Sequence, residues 1–210
     1  MPIWRTTSLF HRTKRDRPAM ITIEEILSLL HLKPHPEEGG YFVETYRSKE
    51  FIPESILPER YKGARSFATA IYYLLTPDTF SAMHRLQTDE IFHFYSGDPV
   101  EMLQLWPDGS GRIITLGTDF LKGAQPQVIV PRGVWQGARL FPGGRFALLG
   151  TTVSPGFECA DYETGQRDPL TIAYPRFRDL ILSLTSSTAT DSTLKGGLPS
   201  PAQGRVDRKK

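Results

Sequence analysis

The chain is predicted to fold as a single all-β antiparallel sandwich or barrel with a short helix at each end. Beyond Pro34 it divides into short runs rich in Phe, Tyr, Ile, Val and Thr. Turn formers separate these runs at Gly39-Gly40, Pro77-Asp78, Gly97-Asp98-Pro99, Pro107-Asp108-Gly109, Pro131-Arg132-Gly133 and Pro142-Gly143-Gly144. At 210 residues, with no internal repeat, the chain has the length for one core rather than two.

Taken in order, residues 1–19 carry Arg5, Arg12, Lys14, Arg15 and Arg17 against Asp16 alone. They read as a disordered or mis-started extension ahead of Met20 rather than a transit peptide. The domain follows over 20–184. Thr22 and Glu25 form a T-x-x-E capping box, Ile21 and Ile26 can staple across it, and Ile23, Ile26, Leu27 and Leu30 form one apolar stripe. A helix is therefore expected from Thr22 to His31. Strands are expected at Tyr41–Tyr46, Arg65–Leu75, Phe80–Leu86, Glu90–Tyr95, Val100–Trp106, Gly111–Leu116, Gln127–Val130, Val134–Arg139 and Arg145–Val153, with a last helix over Pro175–Leu184. Residues 185–210 turn to Ser, Thr, Gly and Pro and end in RVDRKK, the composition of a disordered tail.

Composition narrows the partners. The formal net charge is +2 and much of the basic excess is terminal, so no stripe suited to nucleic acid exists. No apolar run is long enough to span a bilayer, and the N-terminus lacks a secretory apolar segment. The single Cys159 cannot form an internal disulfide, reads as a small buried hydrophobe and suits a reducing, cytoplasmic setting.

The chemistry concentrates in SAMHRLQTDEIFHFYSGDP, residues 81–99. Strand alternation puts His84 on a face with Phe80, Ala82 and Leu86, and Arg85 with Ser81 and Met83. Glu90 then shares a face with Phe92 and Phe94, and His93 with Ile91 and Tyr95. His84 and Glu90 are the pair expected to converge inside. A carboxylate among aromatic rings is costly without a donor, a metal or a polar ligand, so Glu90 requires a partner. His93, Asp89, Trp106 and Cys159 take structural readings; Gly97, Pro131 and Gly133 read as turn formers.

These residues carry a resemblance. His84, Glu90 and Gly97 keep the spacing of the first cupin motif, with Leu86 in place of its second histidine. VPRGVWQGAR resembles the second motif, with Gln136 at the histidine position and Leu140 at that of the asparagine. LKPHPEEGGYFVETYRS, AIYYLL, HRLQTDEIFHFYSGDP, VPRGVWQGAR and VSPGFECADYE together resemble the DUF985 or Cupin_5 family over about residues 22–175. That resemblance implies a small jelly-roll barrel, commonly a homodimer, with a ligand pocket inside. Most cupins of known function hold a divalent ion with three His and a Glu; here only His84 and Glu90 remain. No cofactor is expected, and any metal would fall to His84, Glu90 and Gln136. GGYFVETYR is similar to a segment of the metal-free dTDP-4-dehydrorhamnose 3,5-epimerases, which implies His84 as general base and Glu44 and Arg47 as substrate contacts, with Tyr72 or Tyr73 open as the acid. The alternative is a non-catalytic binder of a sugar- or nucleotide-like ligand, with Trp135 and Phe92 lining the pocket and Gln136 and Glu90 supplying hydrogen bonds.

Overall fold

The computed structural model describes residues 21–186. The expectations for residues 1–19, and for the tail from 187 onward, lie outside the described residues. Helix α1 (Ile23–Leu29) opens on the expected capping box: the Thr22 hydroxyl accepts from the Glu25 N–H at 3.1 Å, and the Glu25 carboxylate accepts from the Thr22 N–H at 2.8 Å. The strands are β1 (Lys33–Pro34), β2 (Tyr41–Arg47), β3 (Phe51–Ile52), β4 (Arg65–Ser66), β5 (Thr69–Leu75), β6 (Phe80–Leu86) and β7 (Glu90–Gly97). They continue with β8 (Val100–Leu105), β9 (Gly111–Leu116), β10 (Gln127–Val130), β11 (Trp135–Leu140), β12 (Ala147–Val153) and β13 (Tyr162–Thr164). Two helices close the domain, α2 (Arg167–Ala173) and α3 (Arg178–Ser183).

Two antiparallel sheets face one another in the orders β1-β2-β5-β12-β7-β10 and β13-β6-β11-β8-β9. Their ladders do not join, so the jelly roll is a sandwich rather than a closed barrel. Tyr73, Phe92, Val100, Met102, Leu116, Val130, Leu149 and their neighbours fill the space between. Each sheet also buries part of its outer face. Helix α1 packs Ile26 against Leu74 and Phe146, while α2 and α3 set Leu170, Leu180 and Ile181 against Met83, Leu103 and Leu105. Strand β8 is covered on both faces, and five of its six residues are buried, Gln104 among them.

Four local features depart from the sequence reading. The strand expected over Arg65–Leu75 is divided: β4 pairs with β3 in a separate two-stranded ribbon, and β5 enters the large sheet. Arg65 is drawn away from that sheet by Asp161, whose carboxylate it grips at 3.0 and 2.7 Å, with both side chains about 2 % exposed. Helix α2 is not among the expected elements; its Pro169 occupies the first turn, where no intrahelical N–H is needed. Strand β13 has three residues and a mostly exposed face, too short for an alternation signal. Cys159 is exposed, correcting the buried reading: the turn Cys159–Asp161 aims Asp161 inward at Arg65 and leaves the thiol outside.

Candidate functional site

The site is built where β6 and β11 run side by side. Gln136 stands opposite His84, while Ala138 stands opposite Ser81, so three steps on β6 answer two on β11. This bulge corrects the simple alternation. Ser81 turns to the same interior as His84, and Phe80 joins Met83 on the outer, helix-covered face. From the facing sheet come Glu90 of β7 and Tyr73 of β5, and from the small-sheet edge comes Tyr162 of β13.

His84 is about 1 % exposed. Its Nδ1 donates to the Ala82 carbonyl at 2.7 Å, which leaves Nε2 as the acceptor of a neutral ring. The Gln136 amide nitrogen donates to that Nε2 at 3.0 Å and to Glu90 Oε2 at 2.5 Å, linking the two sheets through one side chain. His84 and Glu90 thus converge as the sequence reading expects, 3.9 Å apart between Nε2 and Oε2.

A second carboxylate was missed. Glu38 reaches in from the turn between β1 and β2, accepts the Ser81 hydroxyl at 2.5 Å and stands 4.0 Å from His84 Nε2. The turn is pinned by its backbone, since Glu38 O accepts from Ala82 N at 2.8 Å and Gly40 O accepts from His35 N at 2.9 Å. Gly39 and Gly40, at φ of 87° and 68°, make this possible. A Cβ on Gly39 would fall 2.5 Å from the Phe80 carbonyl, and one on Gly40 would fall 2.9 Å from that of Leu74. His35 lies at the mouth: its Nδ1 accepts from the Glu38 N–H at 2.9 Å, and its Nε2 is 3.9 Å from Glu38 Oε2. Imidazole and carboxylate therefore alternate inward as His35, Glu38, His84, Glu90.

Electrostatics follow from that order. Burial lowers the proton affinity of His84, but the Glu38 charge, the Glu90 hydrogen bond and charge, and the Ala82 carbonyl outweigh it, so its pKa rises to about 9. The hydrogen-bonded geometry is that of the neutral ring; the two carboxylates decide the direction of the shift, because they would flank any proton placed on Nε2. For His35, burial prevails over Glu38, and the pKa falls below the usual value. Burial, aided by Glu38, raises the phenols of Tyr73 and Tyr162 well above the ordinary tyrosine range.

Tyr162 was also missed. Its ring lies on that of His84 at 4.9 Å and 21°, and its hydroxyl is buried with no hydrogen-bond partner among the described residues. The Gln136 carbonyl oxygen is likewise buried and unpartnered. Both atoms belong to residues touching His84, and an unmet buried polar atom costs about 1–3 kcal/mol. The stretches HPEEGG and CADYE were visible as family-like segments, but nothing in alternation shows that a turn and a three-residue strand would deliver Glu38 and Tyr162 to the interior.

The remaining expected residues fall in different places. Tyr73 faces inward and donates to the Gly39 carbonyl at 2.7 Å, whereas Tyr72 packs outside with Tyr95 at 5.9 Å. Phe92 is fully buried in the core. Trp135 is corrected as a pocket residue: one step from inward Gln136, it points to the outer face, under the Arg85 guanidinium at 4.4 Å. Glu44 and Arg47 pair with each other at 2.8 Å, and Arg47 reaches Glu158 at 2.8 Å, on the surface and not beside His84. His93 faces outward to Thr152 at 3.2 Å, and Asp89 accepts from the Arg132 N–H at 2.8 Å, both structural. A surface recess of about 320 Å³ at the other end of β6 and β11 contains none of the interior cluster.

No helix among the described residues is long and apolar enough to cross a membrane. The family model for Cupin_5, "Cupin superfamily (DUF985)", matches residues 24–165. A protein of Saccharomyces cerevisiae, YML079W, is 30% identical over 149 residues, covering 67% of this chain and 74% of its own. Among solved structures, protein SO0799 of Shewanella oneidensis is 30% identical at a TM-score of 0.69, covering 80% of this chain and 99% of that one. A protein of Leishmania major is 29% identical at a TM-score of 0.71, covering 79% and 99%. The matched span includes His35, Glu38, His84, Glu90, Gln136 and Tyr162, and the chain belongs to the Cupin_5 (DUF985) family of the cupin superfamily.

Proposed function

We propose that this cupin binds a small organic ligand between its sheets and moves a proton on it, as an isomerase or epimerase acting on a sugar-like carbonyl compound. The observation that carries the reading is the pair of unpartnered buried atoms, Gln136 Oε1 and Tyr162 Oη, beside a histidine flanked by two carboxylates. A ligand hydroxyl would satisfy the first, and a carbonyl or hydroxyl oxygen the second. With the Gln136 amide turned from Nε2 to the ligand, the free form of His84 is the base that would take a proton from the carbon next to a carbonyl, and Tyr162, stacked on it, is the phenol that would return one. Glu38 and Glu90 hold the resulting imidazolium.

The reading includes no resident metal. The Gln136 amide nitrogen, which has no lone pair to give, fills the space between His84 Nε2 and Glu90 Oε2, and Leu86 offers no ligand atom. Among the described residues no group of three or more His, Cys, Asp or Glu side chains is arranged to hold an ion. A cytoplasmic homodimer completes the proposal, in keeping with the exposed aromatic residues Tyr46, Phe51 and Phe67; sedimentation tests the dimer.

The test is deuterium incorporation from solvent into a panel of keto-sugars, followed by NMR. Exchange by the native protein that is lost in His84→Ala and reduced in Tyr162→Phe is the expected result. Stabilisation by panel members without any exchange would instead assign the pocket to binding alone.

A further inference from the structure

The charges around the interior have one sign in excess. The ion pairs of Glu38 and Glu90 run to His35 and His84, and among the described residues neither carboxylate is joined to an arginine or lysine. Arg65 and Arg85 are engaged elsewhere. Arg65 is committed to Asp161 and to the Lys62, Gly63 and Ala64 carbonyls, and Arg85 lies on the outer face, bound to Glu163 at 2.8 Å. Of the two buried atoms without a partner among the described residues, Gln136 Oε1, on the side of the carboxylates, can only accept, while Tyr162 Oη can donate or accept. With the side chains of Glu38 and Glu90 only 11% and 9% exposed, solvent screens this field weakly.

From this we infer that the interior accepts the donor-rich, uncharged or amino-bearing end of its ligand and excludes phosphate and carboxylate groups. This rests on the reading of the interior as a ligand site, and it narrows a sugar- or nucleotide-like ligand to the sugar. A nucleotide's phosphates would have to remain outside the sheets. A phosphate oxygen placed at Gln136 Oε1 would meet an acceptor where it needs a donor, and would stand against two carboxylates that the single His84 imidazolium offsets only in part.

The experiment measures binding of matched probes to the full chain by calorimetry and thermal shift: fructose against fructose 1-phosphate, and glucosamine against glucuronate. The neutral and amino sugars are expected to bind, with each anionic counterpart at least about tenfold weaker, a difference of about 1.4 kcal/mol. In Glu38→Gln that gap should narrow to within about threefold, and Glu90→Gln provides the same comparison should the first variant fold poorly. Equal or tighter binding of the anionic probes, or binding of no probe, overturns the inference. Its failure is separable from that of the proposed reaction: a neutral sugar that binds without exchanging its C–H sinks the isomerase and leaves the charge preference standing, whereas exchange on the phosphorylated probe does the reverse.

Discussion

The Tyr162 ring lies 4.9 Å from the His84 ring at 21°, and its buried hydroxyl has no partner among the described residues. A buried hydroxyl without a hydrogen bond is a cost to the folded protein. Tyr162→Phe should therefore leave the melting temperature of the free protein unchanged or raise it, by up to about 1–3 kcal/mol of stability, while weakening ligand stabilisation and slowing exchange. A variant that loses stability without ligand would show that the hydroxyl is satisfied in the native fold.

His84 links stability to pH. Its pKa is raised from 6.5 to about 9 in the folded protein, so the fold binds the proton more tightly than the unfolded chain. The stabilisation is fully present below pH 6.5, declines between 6.5 and 9 and is gone above, a change on the order of 3 kcal/mol. Urea denaturation from pH 6 to 10 should trace that decline, and His84→Gln should flatten it. If His84 acts as a base, the exchange rate should rise with pH until about 9, opposite to the trend in stability.

Gly39→Ala puts a Cβ 2.5 Å from the Phe80 carbonyl at a φ of 87°. The cost should be about 1–3 kcal/mol, and the displaced turn should withdraw Glu38 from Ser81. NMR titration of His84 is the sensitive check: its pKa should fall along with the stability.

Arg65 and Asp161 form a buried bidentate pair. Asp161→Ala leaves the guanidinium without its carboxylate and should cost about 3–5 kcal/mol in urea denaturation. Replacing Arg65 by Met and Asp161 by Leu together should cost less than the single change, since no charge is then stranded.

Trp135→Phe should lower stability through lost packing against the helix-covered face and the Arg85 stack, but leave ligand affinity within about twofold of native, a difference no larger than ~0.5 kcal/mol. A larger loss of affinity would return Trp135 to the pocket.

Much of this was legible from strand periodicity. His84 and Glu90 converge because inward positions recur every second residue on β6 and β7, and the same rule sends His93 outward. Periodicity failed where the backbone stops being periodic. The β6 bulge moved Ser81 inside, and Trp135 was assigned by adjacency to Gln136 when adjacency on a strand means opposite faces. Glu38 and Tyr162 were invisible for another reason: each is carried by a segment too short to have a repeat, and its placement depends on hydrogen bonds to β6 across the fold.

The turn that carries Glu38 has a consequence for how such a protein changes over generations. One side of the His84 cluster hangs on six residues, His35 to Gly40, while the sheets beneath are held by the core between them and by helices on part of each outer face. Exchanging the Glu38 side chain would reset the charge seen by an incoming molecule while the glycines and backbone hydrogen bonds of the turn keep its path, so new selectivity can arise from one side chain on a fixed segment.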